Sequence, residues 1–314
     1  MTVARMAWLC GVVASLLALA NAASAQDMSQ QWTWCINKDN AFMADLRIGG
    51  CTAIIQAGRE TSENMAGAFN NRGIAYDSKG QHDRAIQDYD QAIRLNPNYA
   101  DAFHNRGTAY VRKGQYDRAI QDYDQAIRLN PNDGPAFYNR GTAYANKGQH
   151  DRAIQDFDQA IRLTLNFDLA FYGRGSAYDR KGQYDRAIQD YDQSIRLNPK
   201  NANAFNNRCY AKASASFLDS ALADCNESLR LRPGDAATLD SRGFTYLKMR
   251  RLPQAIADFD AALKVDPKLA APLYGRGVAR RQMGDVSSGN ADIAAATAID
   301  SKVAERLARR GVVP

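Results

Sequence analysis

One block of residues recurs along this chain at a fixed interval. Ala68-Phe69-Asn70-Asn71-Arg72-Gly73 returns at Ala102, Ala136 and Ala170, each time ending in Arg-Gly, and each step is 34 residues. Asp83-Arg84-Ala85-Ile86-Gln87-Asp88-Tyr89 keeps the same step. A repeat of this size is one supersecondary unit that cannot bury its apolar face alone, so neighbouring units must stack. Within the unit, one helix is expected over about Ala68–Ser78, with a turn at Lys79-Gly80. A second is expected over about Asp83–Leu95, ended at Asn96-Pro97 because proline cannot continue a helix. Gly73, Ala85 and Ala92 are small enough for two helix backbones to approach. Tyr76, Ile86, Tyr89 and Ile93 recur at helical spacing and fill the space between hairpins.

Counting from Ala66, the first unit carries Phe69 at position 4, Gly73 at 8, Tyr76 at 11, Ala85 at 20, Tyr89 at 24, Ala92 at 27 and Pro97 at 32. This pattern resembles the tetratricopeptide repeat family. The resemblance implies an all-α, right-handed superhelical solenoid of helix-turn-helix hairpins. Seven repeats follow, 66–99, 100–133, 134–167, 168–201, 202–235, 236–269 and 270–303, with 304–314 as a capping tail. The first four are close to the family pattern, apart from Leu165 and Ser194. The fifth departs, with Cys209, Lys212 and Cys225 at motif positions; the seventh decays, with Arg280, Gly289 and Ser301, as a capping repeat does.

Cys209 and Cys225 occupy positions 8 and 24 of the fifth repeat, and Cys35 and Cys51 have the same separation. Placing the second pair at the same positions predicts a degenerate hairpin within 26–65. Four cysteines allow three pairings. The pairing that repeats itself, Cys35–Cys51 and Cys209–Cys225, predicts two structural disulfides; the alternative is four buried thiols that fill space. Each disulfide would close a loop of about 15 residues, worth roughly 3 kcal/mol in the chain-entropy account.

Position 7 is arginine in all seven repeats (Arg72, Arg106, Arg140, Arg174, Arg208, Arg242, Arg276), and position 23 is aspartate in all seven (Asp88, Asp122, Asp156, Asp190, Asp224, Asp258, Asp292). Charges near packed faces should pair, since an unpaired buried charge is costly. A structural ladder within or between hairpins is expected. The degenerate hairpin has Trp34 and Gly50 there instead. Gln87, Asp90, Gln91 and Arg94 read as a solvated convex face, and Asp83, Asp117, Asp151 and Asp185 as carboxylates at helix N-termini.

In the family, the first helix of each hairpin lines a concave groove. Position 6 there reads Asn71, Asn105, Asn139, Gly173, Asn207, Ser241, Gly275. This row resembles the asparagine ladder of the tetratricopeptide domain of O-GlcNAc transferase, and implies that the carboxamides hold the backbone of an extended peptide, since each offers a donor and an acceptor. Position 5 adds His104, Tyr138 and Tyr172, the tyrosines as anchors. With Tyr210 and Phe244 at position 9, the groove should turn from polar to aromatic along the chain. The family's carboxylate clamp wants Lys at position 5 and Asn at 9; Asn70 and Ile74, or His104 and Thr108, do not supply it.

Met1 to about Ala25 carries one charge, Arg5, then an apolar run from Met6 to Ala20 and Ala23-Ser24-Ala25. That is the layout of a cleavable secretory signal peptide, so 1–25 is set apart from the fold and a bacterial periplasmic or secreted location is expected. Oxidising conditions there would suit the disulfides. The chain carries 40 Lys plus Arg against 34 Asp plus Glu, a net +6 with acids interspersed throughout, which gives no nucleic-acid footprint. His82 and His150 lie two repeats apart, about 20 Å at ordinary helix spacing, too far to share a metal. No nucleophile–base set, metal spacing or phosphate loop is present, so neither catalysis nor a cofactor is expected. The sequence points to a protein- or peptide-binding scaffold without stable membrane insertion. A structural adaptor using the convex face or ends, or a carbohydrate-binding solenoid, are the alternatives.

Overall fold

The computed structural model describes residues 27–37 and 43–313. The expected signal peptide, 1–25, lies outside the described residues. Among them every regular element is helical, and no helix is long and apolar enough to cross a membrane. The chain divides into two units, Met1–Lys147 and Gly148–Pro314.

In the first unit, α1 (27–36) and α2 (Ala44–Ala57) form the degenerate hairpin. Then follow α3 (Ser62–Ser78), α4 (His82–Leu95), α5 (Ala100–Arg112), α6 (Tyr116–Leu129) and α7 (Gly134–Asn146). The second unit holds α8 (His150–Leu163), α9 (Asp168–Arg180), α10 (Tyr184–Leu197), α11 (Ala202–Ser214), α12 (Leu218–Leu231), α13 (Ala236–Lys248), α14 (Leu252–Val265), α15 (Ala270–Gln282), α16 (Val286–Ile299) and the short α17 (Val303–Ala308). Within each unit consecutive helices pack against one another. Helix α3 starts six residues before the expected Ala68, because Thr61 caps it by accepting from the Asn64 amide at 3.2 Å.

Close approach inside a hairpin explains the glycine at position 8. A Cβ on Gly73 would sit 2.6 Å from the Tyr89 ring, one on Gly107 would be 2.9 Å from Tyr123, and one on Gly243 would be 2.7 Å from Phe259. The position-24 ring thus lies directly on the glycine backbone. In two hairpins cysteines replace both partners. Cys35–Cys51 joins α1 to α2 and Cys209–Cys225 joins α11 to α12, with Cα atoms 4.6 and 5.4 Å apart. All four sulfur residues are fully buried.

The position-7 arginines do more than pair within their hairpin. Arg106 donates from Nε and Nη2 to both oxygens of Asp122, at 2.8 and 2.6 Å. Its Nη1 donates to Asp90, on the preceding hairpin, at 2.6 Å. Arg174 repeats this with Asp190 and Asp158, Arg208 with Asp224 and Asp192, and Arg276 with Asp292 and Asp260. Arg242 uses Asp258 and Asn226, and Arg72 uses Asp88 and Thr52. Asp90 is therefore not part of a merely solvated face, as its sequence position suggested, but half of an inter-hairpin contact. Burial alone would lower the Arg106 guanidinium, yet the bonds to Asp122 and Asp90 leave it above its ordinary value. A phenylalanine one turn earlier also lies beside the guanidinium: Phe69, Phe103, Phe171 and Phe205 sit 5.4–5.5 Å from theirs. The helix-opening aspartates likewise serve the stack: Asp83 accepts from Lys113, Asp117 from Lys147 and Asp151 from Lys181. The degenerate hairpin shares the stacking contacts, its Asp45 accepting from Lys79 and its Thr52 from Arg72, but it lacks the arginine–aspartate pair. There a Cβ on Gly50 would meet the Trp34 Cβ at 2.9 Å, so backbone proximity and the disulfide replace the ion pair.

Each of the seven full repeats turns through one left-handed residue. Gly80, Gly114 and Gly182 take φ of +73°, +70° and +73°, but the fifth repeat places Ser216 there at +69°. An L side chain in this region costs roughly 1–2 kcal/mol, partly offset in glycine by its freer unfolded chain. Ser216→Gly should therefore raise stability by about 0.5–1 kcal/mol in urea unfolding, whereas Gly114→Ala should lower it.

Candidate functional site

The expected binding residues lie on the first helices of the hairpins, and the structure gives most of them a bond between neighbouring repeats. In the first unit, Asn105 Nδ2 donates to Asn70 Oδ1 at 3.0 Å. Asn139 Nδ2 stands 2.9 Å from His104 Nε2, so that ring nitrogen accepts. His104 Nδ1 then carries the proton and faces Asp133 Oδ2 at 3.3 Å, while its ring meets Tyr123 edge-on. Asn71 accepts from Arg47 at 3.1 Å. Asn105 and Asn139 thus stitch their repeats to position 5 of the one before. Asn105 and Asn139 each commit one N–H, and among the described residues their carboxamide oxygens accept nothing. Tyr138 is half-buried on α7.

In the second unit, Asn207 Nδ2 donates to the Tyr172 hydroxyl at 2.9 Å, and the Tyr172 ring rests against Tyr191. The aromatic stretch expected further on is not an open groove. Phe244 and Tyr274 are 3% and 1% exposed. They belong to a core that also contains Val303, Leu307 and Val312. The segment after α16, expected only to close the last repeat, instead lies over the face that repeats five and six would present. Arg310 stacks on Tyr210 with its guanidinium 4.3 Å from the ring centre. Asp179, Ser214 and Arg310, which sequence reasoning missed, are the polar centre of that contact. The available signal was an aspartate at position 12, present only in the first and fourth repeats.

The two histidines at position 17 differ by one neighbour. His82 Nδ1 lies 2.6 Å from Asp77 Oδ1. His150 Nδ1 is buried without a hydrogen-bond partner, and burial, then Arg180, holds its imidazole below the usual value. Among the described residues no group of three or more His, Cys, Asp or Glu is placed to hold a metal ion.

Profiles described as TPR repeat match residues 73–114 and 107–148, and profiles described as tetratricopeptide repeat match 134–163, 169–201 and 242–302. The chain belongs to the tetratricopeptide repeat family. The matched segments pass over 202–241, where the glycine–aromatic pair has become a disulfide. Similar solved structures include YrrB, described as a TPR protein with an unusual peptide-binding site. It is 23% identical, with TM-score 0.51 over 60% of this chain and 97% of that one. A tetratricopeptide repeat protein from Parabacteroides merdae is 20% identical, with TM-score 0.63 over 78% and 98%. The Cut9–Hcn1 assembly of the APC/C gives 18%, 0.63, and coverage of 80% and 52%. These likenesses show the fold. Among curated proteins no match was found.

Asp240, at position 5 of the sixth repeat, faces the same covered surface. Burial pushes its carboxyl up to about 7, with Arg306 pulling it back. Its folded value lies above the ordinary carboxylate value near 4, so the folded state holds a proton that the unfolded chain releases. Its stabilising contribution is complete below about pH 4 and is lost as pH rises through 7. Relative to Asp240→Asn, the wild type should lose at least about 1 kcal/mol between pH 4 and 8, measured by urea unfolding at each pH.

Proposed function

We propose that this chain is a non-enzymatic protein-interaction scaffold of the cell envelope, and that it binds extended peptide segments along the first-helix surface of its hairpins. One observation carries the reading. In the first unit Asn105 and Asn139 are locked by their donor bonds to Asn70 and His104, with their carboxamide oxygens uncommitted. Two fixed acceptors on successive repeats suit the amide N–H groups of an extended chain, independent of its side chains, and preorganisation lowers the entropic cost of binding. Asn71 and Tyr138 flank them, Tyr138 as an apolar anchor with a polar tip. In the second unit, Asn207 and Tyr172 would contribute only from beside the covered surface. YrrB, described as peptide-binding, offers a precedent on the same fold.

The envelope assignment rests on the leader-like residues 1–25 and on the two disulfides, which persist outside the reducing cytosol. The partner is a protein or peptide, and no cofactor is invoked.

Cross-linking capture from an envelope extract, with wild type beside Asn105→Ala/Asn139→Ala, tests this. The variant should lose a defined protein partner by about tenfold or more, the loss expected from two interface hydrogen bonds. Equal capture would make the asparagines inter-repeat stitching alone and shift the role to the convex face or ends.

A further inference from the structure

The covered surface of the second unit is built around one guanidinium. Arg310 donates from Nη1 and Nη2 to the two oxygens of Asp179, at 3.2 and 2.9 Å, and from Nη1 to Ser214 Oγ at 3.0 Å. The rings of Tyr210 and Tyr184 lie 4.3 and 5.4 Å from its charge centre. Both charged side chains are nearly covered, at 10% and 13% exposure. Lys248 Nζ donates to the Arg310 carbonyl at 3.3 Å, so the backbone is held as well as the side chain. Two residues on, Val312 is 4% exposed in the apolar core beside Leu247 and Val278.

The repeat itself explains why this pocket accepts a guanidinium. Asp77 stands at position 12 of the first repeat, and its cation is Arg112, at position 13 of the second. Asp179 stands at the same position of the fourth repeat. Position 13 of the next repeat is there Ser214, which brings no charge. Arg310 lies between Asp179 and Ser214, filling from a distant segment the place that Arg112 fills from the neighbouring repeat. A cavity of about 160 Å³ remains beside it, lined by Ser176, Asn207 and Arg306 among others. The occupant is short. Helix α17 has six residues and is followed by a left-handed Gly311 at φ +86°. A helix of this length has little stability of its own and is held by its contacts.

We propose that the pocket around Asp179, Ser214 and Tyr210 is a recognition site for a short amphipathic helix ending in Arg-Gly-aliphatic, that 303–313 is its intramolecular occupant, and that a partner segment of the same chemistry displaces it. This rests on the reading that the first-helix surface is the binding surface, and it adds the ligand's chemistry and a built-in competitor. Tethering gives the internal segment an effective concentration in the millimolar range, so a partner must either bind well or meet a loosened segment.

The probe is a fluorescein-labelled peptide with the sequence of residues 301–313, titrated into the whole chain and followed by anisotropy. The chain carrying Leu307→Ser and Arg310→Ala should bind it about tenfold or more tightly than wild type. Adding Asp179→Asn to the protein, or Arg310→Ala to the peptide, should abolish that gain. A folded double variant that fails to bind, binds no better than wild type, or binds regardless of Asp179 overturns the proposal. Should the double variant not fold, hydrogen exchange of the wild type decides. Amides of 303–313 exchanging about tenfold or more faster than those of α14 would show a separately opening segment, and equal protection would make it fixed core. The asparagine variant reports on the first unit with a different ligand, so either proposal can fail without the other.

Discussion

A guanidinium shared between two hairpins is the contact on which this architecture turns. A helical hairpin of thirty-odd residues cannot bury its own apolar face, and stacking must be specific as well as favourable. The position-7 arginine supplies that specificity. It takes a buried carboxylate from its own second helix and a more exposed one from the preceding hairpin, as Arg106 does with Asp122 and Asp90. Its planar donor set reaches both at once, which a lysine would not do. The phenylalanine beside it and the glycine after it complete a local device: ring, charge and close backbone approach within one helical turn.

This device fixes one face of each first helix inward and leaves the neighbouring positions for function. Positions 5 and 6 then do two jobs. In the first unit they bond across repeats and keep acceptors uncommitted, the row proposed above to take a peptide backbone. In the second unit the corresponding surface is closed by α17 and the turn after it, which pack Leu307, Arg310 and Val312 onto it. The two units are built from the same repeat, yet one leaves its polar row at positions 5 and 6 partly exposed and the other covers the corresponding surface.

Much of this was legible in the sequence because the repeat multiplies each signal. The helix pairs, the arginine–aspartate separation and the two cysteine pairs all appear as constant spacings, and helix packing converts a constant spacing into a constant contact. The illegible part lies where the contact crosses repeats without a period. Asp90 reads as a surface residue until the next hairpin brings Arg106 to it. Asn105 reads as a free carboxamide until Asn70 accepts a hydrogen bond from it. Arg310 meets Asp179 from 131 residues away, hinted at only by the aspartate at position 12 and the missing arginine at Ser214. The Asp83-type carboxylates do open their helices, and a lysine of the following repeat also bonds Asp83, Asp117 and Asp151.

The most direct measurement is a double-mutant cycle on Arg106 with each of its two carboxylates, read by native-state hydrogen exchange of α4–α6 so that local opening is not averaged over the whole chain. The account predicts a coupling of about 2 kcal/mol or more to the buried Asp122 and a smaller favourable one, below about 1 kcal/mol, to the half-exposed Asp90. Additive effects of Arg106 and Asp90, or protection of α4 that is indifferent to Arg106, would contradict the claim that a shared guanidinium joins the hairpins.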